Sequence, residues 1–268
     1  MKRVCKSSPP QALLDFAAER PDATWEQMND NGIHSGRQAA KECRDRAILD
    51  QHGLCAYCET EITSDDPRHR RIEHFHPKSD KAGGHNWGLD WDNMLATCDG
   101  GSSSSREEQK MHPLPENLSC DAYKDHMVNN GKLPAACEGY LINPLAMPAF
   151  PNLFSLEKGT WRLLPNEAEC ANVELSENVY ETTAELVGNT IVALNLNCRR
   201  LTDLRKSLVY DIERRKKKLR EKGYKPAEMP EKLALSYFGK KWPKYFTTLR
   251  CCLGQAAEDY LNSINYYG

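Results

Sequence analysis

Arg71-Ile72-Glu73-His74-Phe75-His76-Pro77-Lys78-Ser79 decides the reading of this chain, because cysteines with ligand-like spacing stand on either side of it. Upstream is Cys55-Ala56-Tyr57-Cys58, and downstream are Cys98 and Cys120, each in a polar loop bearing glycine or serine. Two thiolates at Cys-x-x-Cys spacing can hold one ion without strain, and zinc accepts four such ligands tetrahedrally. Redox sites share that spacing. Taking Cys98 and Cys120 as the second pair closes a four-thiolate site, which makes the expected zinc structural rather than catalytic. Such an ion contributes on the order of 10 kcal/mol to a small unit with little core of its own.

Inside the quoted stretch, the alternation of Ile72, His74 and His76 predicts a strand that Pro77 closes. Glu73 directly beside His74 suits phosphodiester hydrolysis. The carboxylate can hold a divalent ion on the phosphate while a neutral imidazole takes a proton from the attacking water. His76, expected on the same side of the strand as His74, is the rival ligand or base. Seven of the eight histidines fall between His52 and His126, a clustering that favours chemistry over scattered core placement. The zinc-protease pattern His-Glu-x-x-His is absent, so peptidase chemistry has no support.

The flanks read as helical. Ser8-Pro9-Pro10 looks like a helix start, followed by an apolar face of Leu13, Leu14, Ala17 and Ala18. After a turn at Asn29-Asp30-Asn31-Gly32, a second helix is expected from about Ser35, with Ala40, Cys43 and Ala47 inward and Gly53 ending it. Ser102 to Ser105 reads as a flexible insertion loop. Beyond Asn143-Pro144, Leu153 to Leu164 resembles a hairpin turning at Gly159. Helical period then runs through Leu186, Ile191 and Leu194, through Leu201, Leu204, Leu208 and Ile212, and through a last helix from Leu249 to Ile264.

A hydrophobic content of 40% with 28% charged residues is that of a soluble globular protein, and no apolar run is long enough to span a membrane. Met1-Lys2-Arg3-Val4-Cys5 leads into no apolar signal core, and eleven cysteines is an odd number for a secreted disulfide framework. The expectation is a cytoplasmic protein with reduced cysteines. The net charge of −2 hides an asymmetry: Arg199 to Arg250 holds 17 basic and 6 acidic residues, about +11, so the remainder carries about −13. Arg214, Arg215, Lys216, Lys217 and Lys218 project from the polar face of a predicted helix, as a phosphate track or as a docking surface for an acidic partner.

The order Cys-x-x-Cys, Glu-His-x-x-Pro, Asn, Cys, then Cys-Asp-x-x-Lys resembles the zinc-containing HNH endonucleases. That resemblance implies an α+β protein, mainly helical, carrying a zinc-stabilised ββα-metal (HNH) nuclease module. Residues 1–52 would form a helical lead-in, 53–130 the module, and 131–268 a mainly helical region with the basic helix. It implies His74 as general base, Glu73 as the metal-binding residue before it, and Asn93 as the brace of the loop that carries the histidine. The last catalytic position, usually His or Asn, falls on Asp121, which could bind Mg2+ or Mn2+ through oxygen. His126 or a residue of the insertion is the alternative there. Lys124 matches the trailing lysine of the pattern and receives no role.

The Gly-Leu-Cys-Ala-Tyr-Cys-Glu run, the Asn143-Pro144 element and Leu194-Asn195-Leu196-Asn197 followed by Arg205 extend the likeness. Together they resemble the HNH nuclease subunit of Septu-type antiphage systems, which also occurs beside some retrons. The implied partners are nucleic acid, DNA before RNA, and an ATPase of the ABC/SMC-like class, with a homodimer within the complex. The competing reading is a non-catalytic zinc-dependent adaptor or nucleic-acid-binding module. An adaptor would have no need of the intact Glu73-His74 pair.

Overall fold

The computed structural model of the chain describes residues 1–30, 33–62 and 66–268. Three helices lead in: α1 (Gln11–Glu19), α2 (Trp25–Asn29) and α3 (His34–Asp50), with α1 and α2 both packed on α3. Pro10, not Ser8, is the residue before α1, and no side chain caps it; Leu13 and Phe16 face inward while Leu14 stays 46% exposed. Ala40, Cys43 and Ala47 form the buried stripe of α3 as expected. Gly53, at φ +76°, then donates its N–H to the Ile48 carbonyl (2.8 Å), closing the end of the helix in a backbone conformation that glycine adopts without steric cost. Asn31 and Gly32 of the expected turn lie outside the described residues.

Strands β1 (Arg71–His74) and β2 (Met94–Thr97) pair antiparallel, with His74 opposite Met94. The strand ends at His74, two residues short of the expected alternation: the Phe75 N–H still bonds in register to the Asn93 carbonyl (3.0 Å), but the Asn93 N–H turns to the Asp90 carbonyl (3.2 Å) and the chain bends at Phe75 and His76. His76 therefore does not share the face of His74. Beyond β2 come α4 (Arg106–Met111) and α5 (Cys120–Asn129). The serine run is not a bare loop: Ser105 accepts the Glu108 N–H while Glu108 bonds back to the Ser105 N–H, a reciprocal cap that starts α4.

The expected hairpin is present as β3 (Phe154–Leu156) and β4 (Leu163–Pro165), turning through Gly159 at φ +94°. Next come α6 (Glu167–Cys170), α7 (Thr183–Ala193), α8 (Arg199–Glu221) and α9 (Met229–Phe238), the last not foreseen. Leu201 and Ile212 of α8 are buried, but Leu204, expected inward, is 39% exposed. The expected last helix is two, α10 (Phe246–Leu253) and α11 (Gln255–Ser263), split at Gly254, whose φ of +55° and ψ of −134° cannot continue a helix. One apolar cluster runs from Met1 to Leu201 and a second from Ile212 to Tyr266. Among the described residues no helix is long and apolar enough to cross a membrane.

Glu59, 3% exposed and directly after the Cys55–Cys58 turn, joins that turn to α10. Its carboxylate accepts the Thr247 N–H (2.8 Å) and hydroxyl (2.6 Å), and its carbonyl accepts the Tyr245 N–H (3.0 Å). Glu59→Ala would leave buried donors unpaired at a cost of about 3 kcal/mol. The expected result is a lower urea midpoint with unchanged slope; an unchanged midpoint would show that this joint adds nothing to stability.

Candidate active site and metal centre

The local structure brings four cysteines together from three places. Cys55 and Cys58 sit in the turn after α3, Cys98 follows β2, and Cys120 opens α5. The sulfurs of Cys55 and Cys120 lie 3.8 Å apart, those of Cys58 and Cys98 3.6 Å, and those of Cys98 and Cys120 3.8 Å. All four ligand atoms are buried and within 4.8 Å of one another, and none of the eleven cysteines is in a disulfide. Zinc–sulfur bonds of 2.3 Å place tetrahedral thiolates about 3.8 Å apart. The cage therefore fits a zinc ion, and the pairing of Cys55-Cys58 with Cys98 and Cys120 is that expected from spacing.

The neighbourhood explains how the cage is held. Gly100 has φ +62°, and a Cβ there would lie 2.2 Å from the Ser119 carbonyl oxygen, so the two cysteine-bearing loops approach only because this residue is glycine. Cys120 itself has φ +57°, with its N–H on the Leu194 carbonyl (2.9 Å). Asn195 donates to the carbonyls of Glu116 and Leu118, both at 2.8 Å, fixing the approach to α5. Asn197 accepts the Leu163 N–H (2.8 Å), and Arg205 bonds the Leu196 carbonyl. The Leu194-Asn195-Leu196-Asn197 run and Arg205 thus anchor the loop of the last cage cysteine and the β3–β4 hairpin. Arg200, unnoticed in the sequence, bonds Ser119 Oγ (2.7 Å) beside the cage.

On the other side of α5 an open cavity of about 290 Å³ is lined by Glu73, His74, Lys78, Asp121, Lys124 and Asp125, among others. Three of the four residues read as catalytic thus border one space. His74 Nε2 lies 3.2 Å from the Gly88 carbonyl, which can only accept, so the neutral ring carries its hydrogen there and keeps a lone pair on Nδ1. Trp25 packs edge-on against the ring. Burial, then the charge of Lys78, pushes His74 down to about 4, so it is uncharged near neutral pH. Asp121 is held well above the usual carboxylate range by burial and by the neighbouring Glu73 charge.

Asn93 does not line the cavity. It accepts the His76 N–H (2.7 Å) and donates to the carbonyls of His76 (3.0 Å) and Trp87 (2.9 Å), pinning both ends of the segment that contains Lys78 and leads to Gly88. His76 turns away: Nδ1 meets Glu138 (2.6 Å) and Nε2 meets Asp80 (2.9 Å), which occupies both nitrogens outside the cavity. His126 does not line the cavity either, and stacks near Tyr123. Lys124 pairs with Glu73. Asp125, one helical turn after Asp121, is the lining carboxylate that motif reading missed; the i, i+4 spacing on α5 was its only sequence signal.

No family model matches the chain. A curated relative is 36% identical over 212 residues, which is 78% of this chain and 80% of the relative. The chain belongs to the HNH endonuclease family and is a nuclease. That relative, from Escherichia coli, is assigned by name as the HNH endonuclease of retron Ec83.

Cys55→Ser would open the cage at a fully buried corner. Zinc content measured by atomic emission is expected to fall from about one ion per chain to near zero, with a large loss of thermal stability. Full zinc and an unchanged melting curve would remove the structural-site assignment.

Proposed function

We propose that this chain is a metal-dependent endonuclease that hydrolyses phosphodiester bonds in nucleic acid, DNA in preference to RNA, with His74 as general base. Residues 53–130 are the catalytic module, in which β1, β2 and α5 form a ββα-metal unit. The observation that carries this reading is His74: uncharged, oriented by the Gly88 carbonyl, and bordering the same cavity as Glu73 and Asp121.

Glu73 and Asp121 would hold Mg2+ or Mn2+. Both are buried oxygen donors, and only Glu73 is ion-paired, to Lys124; two carboxyl groups at one cavity suit a hard cation. When bound, that ion supplies charge stabilisation at the phosphoryl and leaving oxygens. The protein's own part is proton transfer. Water oxygen forms the new bond to phosphorus as its proton passes to His74 Nδ1, and the ester bond to the leaving oxygen breaks. Asn93 acts at a distance from the phosphate, by holding the segment whose Gly88 carbonyl fixes the imidazole.

The basic helix contributes less charge than its sequence suggests. Arg214 and Arg215 both pair with Asp211, and Lys216 pairs with Glu213. Lys217, Lys218 and Arg220 are exposed and have no ionic partner among the described residues. We assign these three as the polyanion contact of α8. Replacing all three with alanine should weaken nucleic-acid binding without changing sequence preference and reduce the slope of log affinity against log salt by about 2 to 3. An unchanged slope would turn this face over to a protein partner.

The likeness to Septu-type nuclease subunits supports an ABC/SMC-like ATPase partner and an antiphage role. On that reading the chain alone is weakly active and the partner licenses it. The decisive assay is cleavage of labelled plasmid, single-stranded DNA and total RNA with Mg2+ or Mn2+, with and without the ATPase, by the unaltered chain and His74→Ala. Loss of about 100-fold or more in the variant is expected. Equal cleavage by both would remove His74 as the base, and strong cleavage by the isolated chain would remove the licensing partner.

A further inference from the structure

Lys124 occupies a place that no role yet accounts for. Its side chain and that of Glu73 are each 7% exposed, and the two form an ion pair. The same ammonium donates to the carbonyls of His74 (3.3 Å) and Phe75 (3.2 Å). An ammonium has three hydrogens, so its donors are spent on three consecutive residues at the end of β1. Asp121 lies one helical turn earlier on α5 and borders the same cavity. The buried charged groups here are thus Glu73, Asp121 and Lys124, while Asp125 and Lys78, which pairs with Glu26, border the cavity from exposed positions.

Two physical consequences pull in opposite directions. Without an ion, a buried carboxylate needs a partner, because an uncompensated charge in such surroundings is strongly unfavourable. Lys124 meets that need and holds Glu73 in one orientation. With a divalent ion at Glu73, the ammonium becomes a like charge a few ångströms away, and repulsion at short range is weakly screened in a protein interior. A lysine in this position stabilises the metal-free site and opposes its loading.

We propose that Lys124 is the built-in cation of the metal-free site, a positioning residue that keeps Glu73 ordered and restrains loading by a divalent ion. The inference rests on the reading of Glu73 and Asp121 as ion ligands. It gives the nuclease a restraint within its own active site, separate from any partner.

The test is Mn2+ binding to the full, zinc-loaded chain without nucleic acid, followed by calorimetry and by the loss of the free-Mn2+ electron resonance signal. Lys124→Met is expected to bind Mn2+ about ten-fold more tightly than the unaltered chain, and Lys124→Arg, which keeps the charge, within about three-fold of it. Metal-free Lys124→Met should melt at a lower temperature and recover more on adding Mn2+ than the unaltered chain does. Should Lys124→Met fail to fold, Lys124→Gln serves, since its amide still donates hydrogen bonds. Weaker or equal Mn2+ binding by the neutral variants overturns the inference alone. No binding to the unaltered chain, or binding that Glu73→Gln leaves intact, overturns the ligand reading and the inference with it.

Discussion

Four sulfur atoms held within 4.8 Å of one another are the constraint on which the nuclease unit depends. The strands beside them are only four residues long and form a two-stranded sheet, too small to fix a helix against themselves. The cage does what the sheet cannot: it ties the turn after α3, the end of β2 and the start of α5 to one point. Asp121 is the next residue after the last cysteine and Lys124 is one turn further. Closing the sulfurs therefore also brings both toward Glu73 on β1. The chemistry of the cavity follows from a contact on the opposite side of the helix start.

Within the cavity, each group is set by what surrounds it. His74 is uncharged because it is buried near Lys78, and its hydrogen is committed to the Gly88 carbonyl. Lys124 keeps its charge, pushed up to about 12: burial works against it most strongly, but the charge and hydrogen bond of Glu73 and the other acidic groups around it together outweigh that burial. Asn93 touches none of these side chains directly, yet three hydrogen bonds from its amide fix the segment that orients the imidazole. His74, the Glu73 and Asp121 carboxyl groups and the Lys124 ammonium are thus placed by backbone contacts as much as by their own packing.

The rest of the chain serves this arrangement from both ends. Gln51, at the end of α3, exchanges hydrogen bonds with Ala96 of β2 (2.7 and 2.8 Å), extending the pairing of a strand that has a neighbour on one side only. Asn195 and Arg200 hold the loop before Cys120, and Glu59 couples the first cysteine turn to α10. Buried polar side chains in these joints are fully engaged, which is why asparagine, glutamine and glutamate appear where a core would otherwise be apolar.

Much of this was legible in the chain itself. Cysteine spacing identified all four cage residues, since ligand geometry restricts which intervals can serve one ion. Adjacency singled out Glu73 and His74, which border one cavity, and helical period identified α3, α7 and α8, because amphipathic repeats are local properties. What local pattern could not supply was direction. His76 alternates correctly with His74, but Asn93 turns its N–H to Asp90, the chain bends at Phe75 and His76, and the His76 ring meets Asp80 and Glu138. Leu204 fits the stripe of α8 and still faces outward, and Gly254 splits an apparently continuous last helix. The role of Lys124 and the place of Asp125 were equally hidden, because each depends on which face of α5 meets β1. Residue identity determines what a side chain can bind; only the meeting of distant segments decides what it finds there.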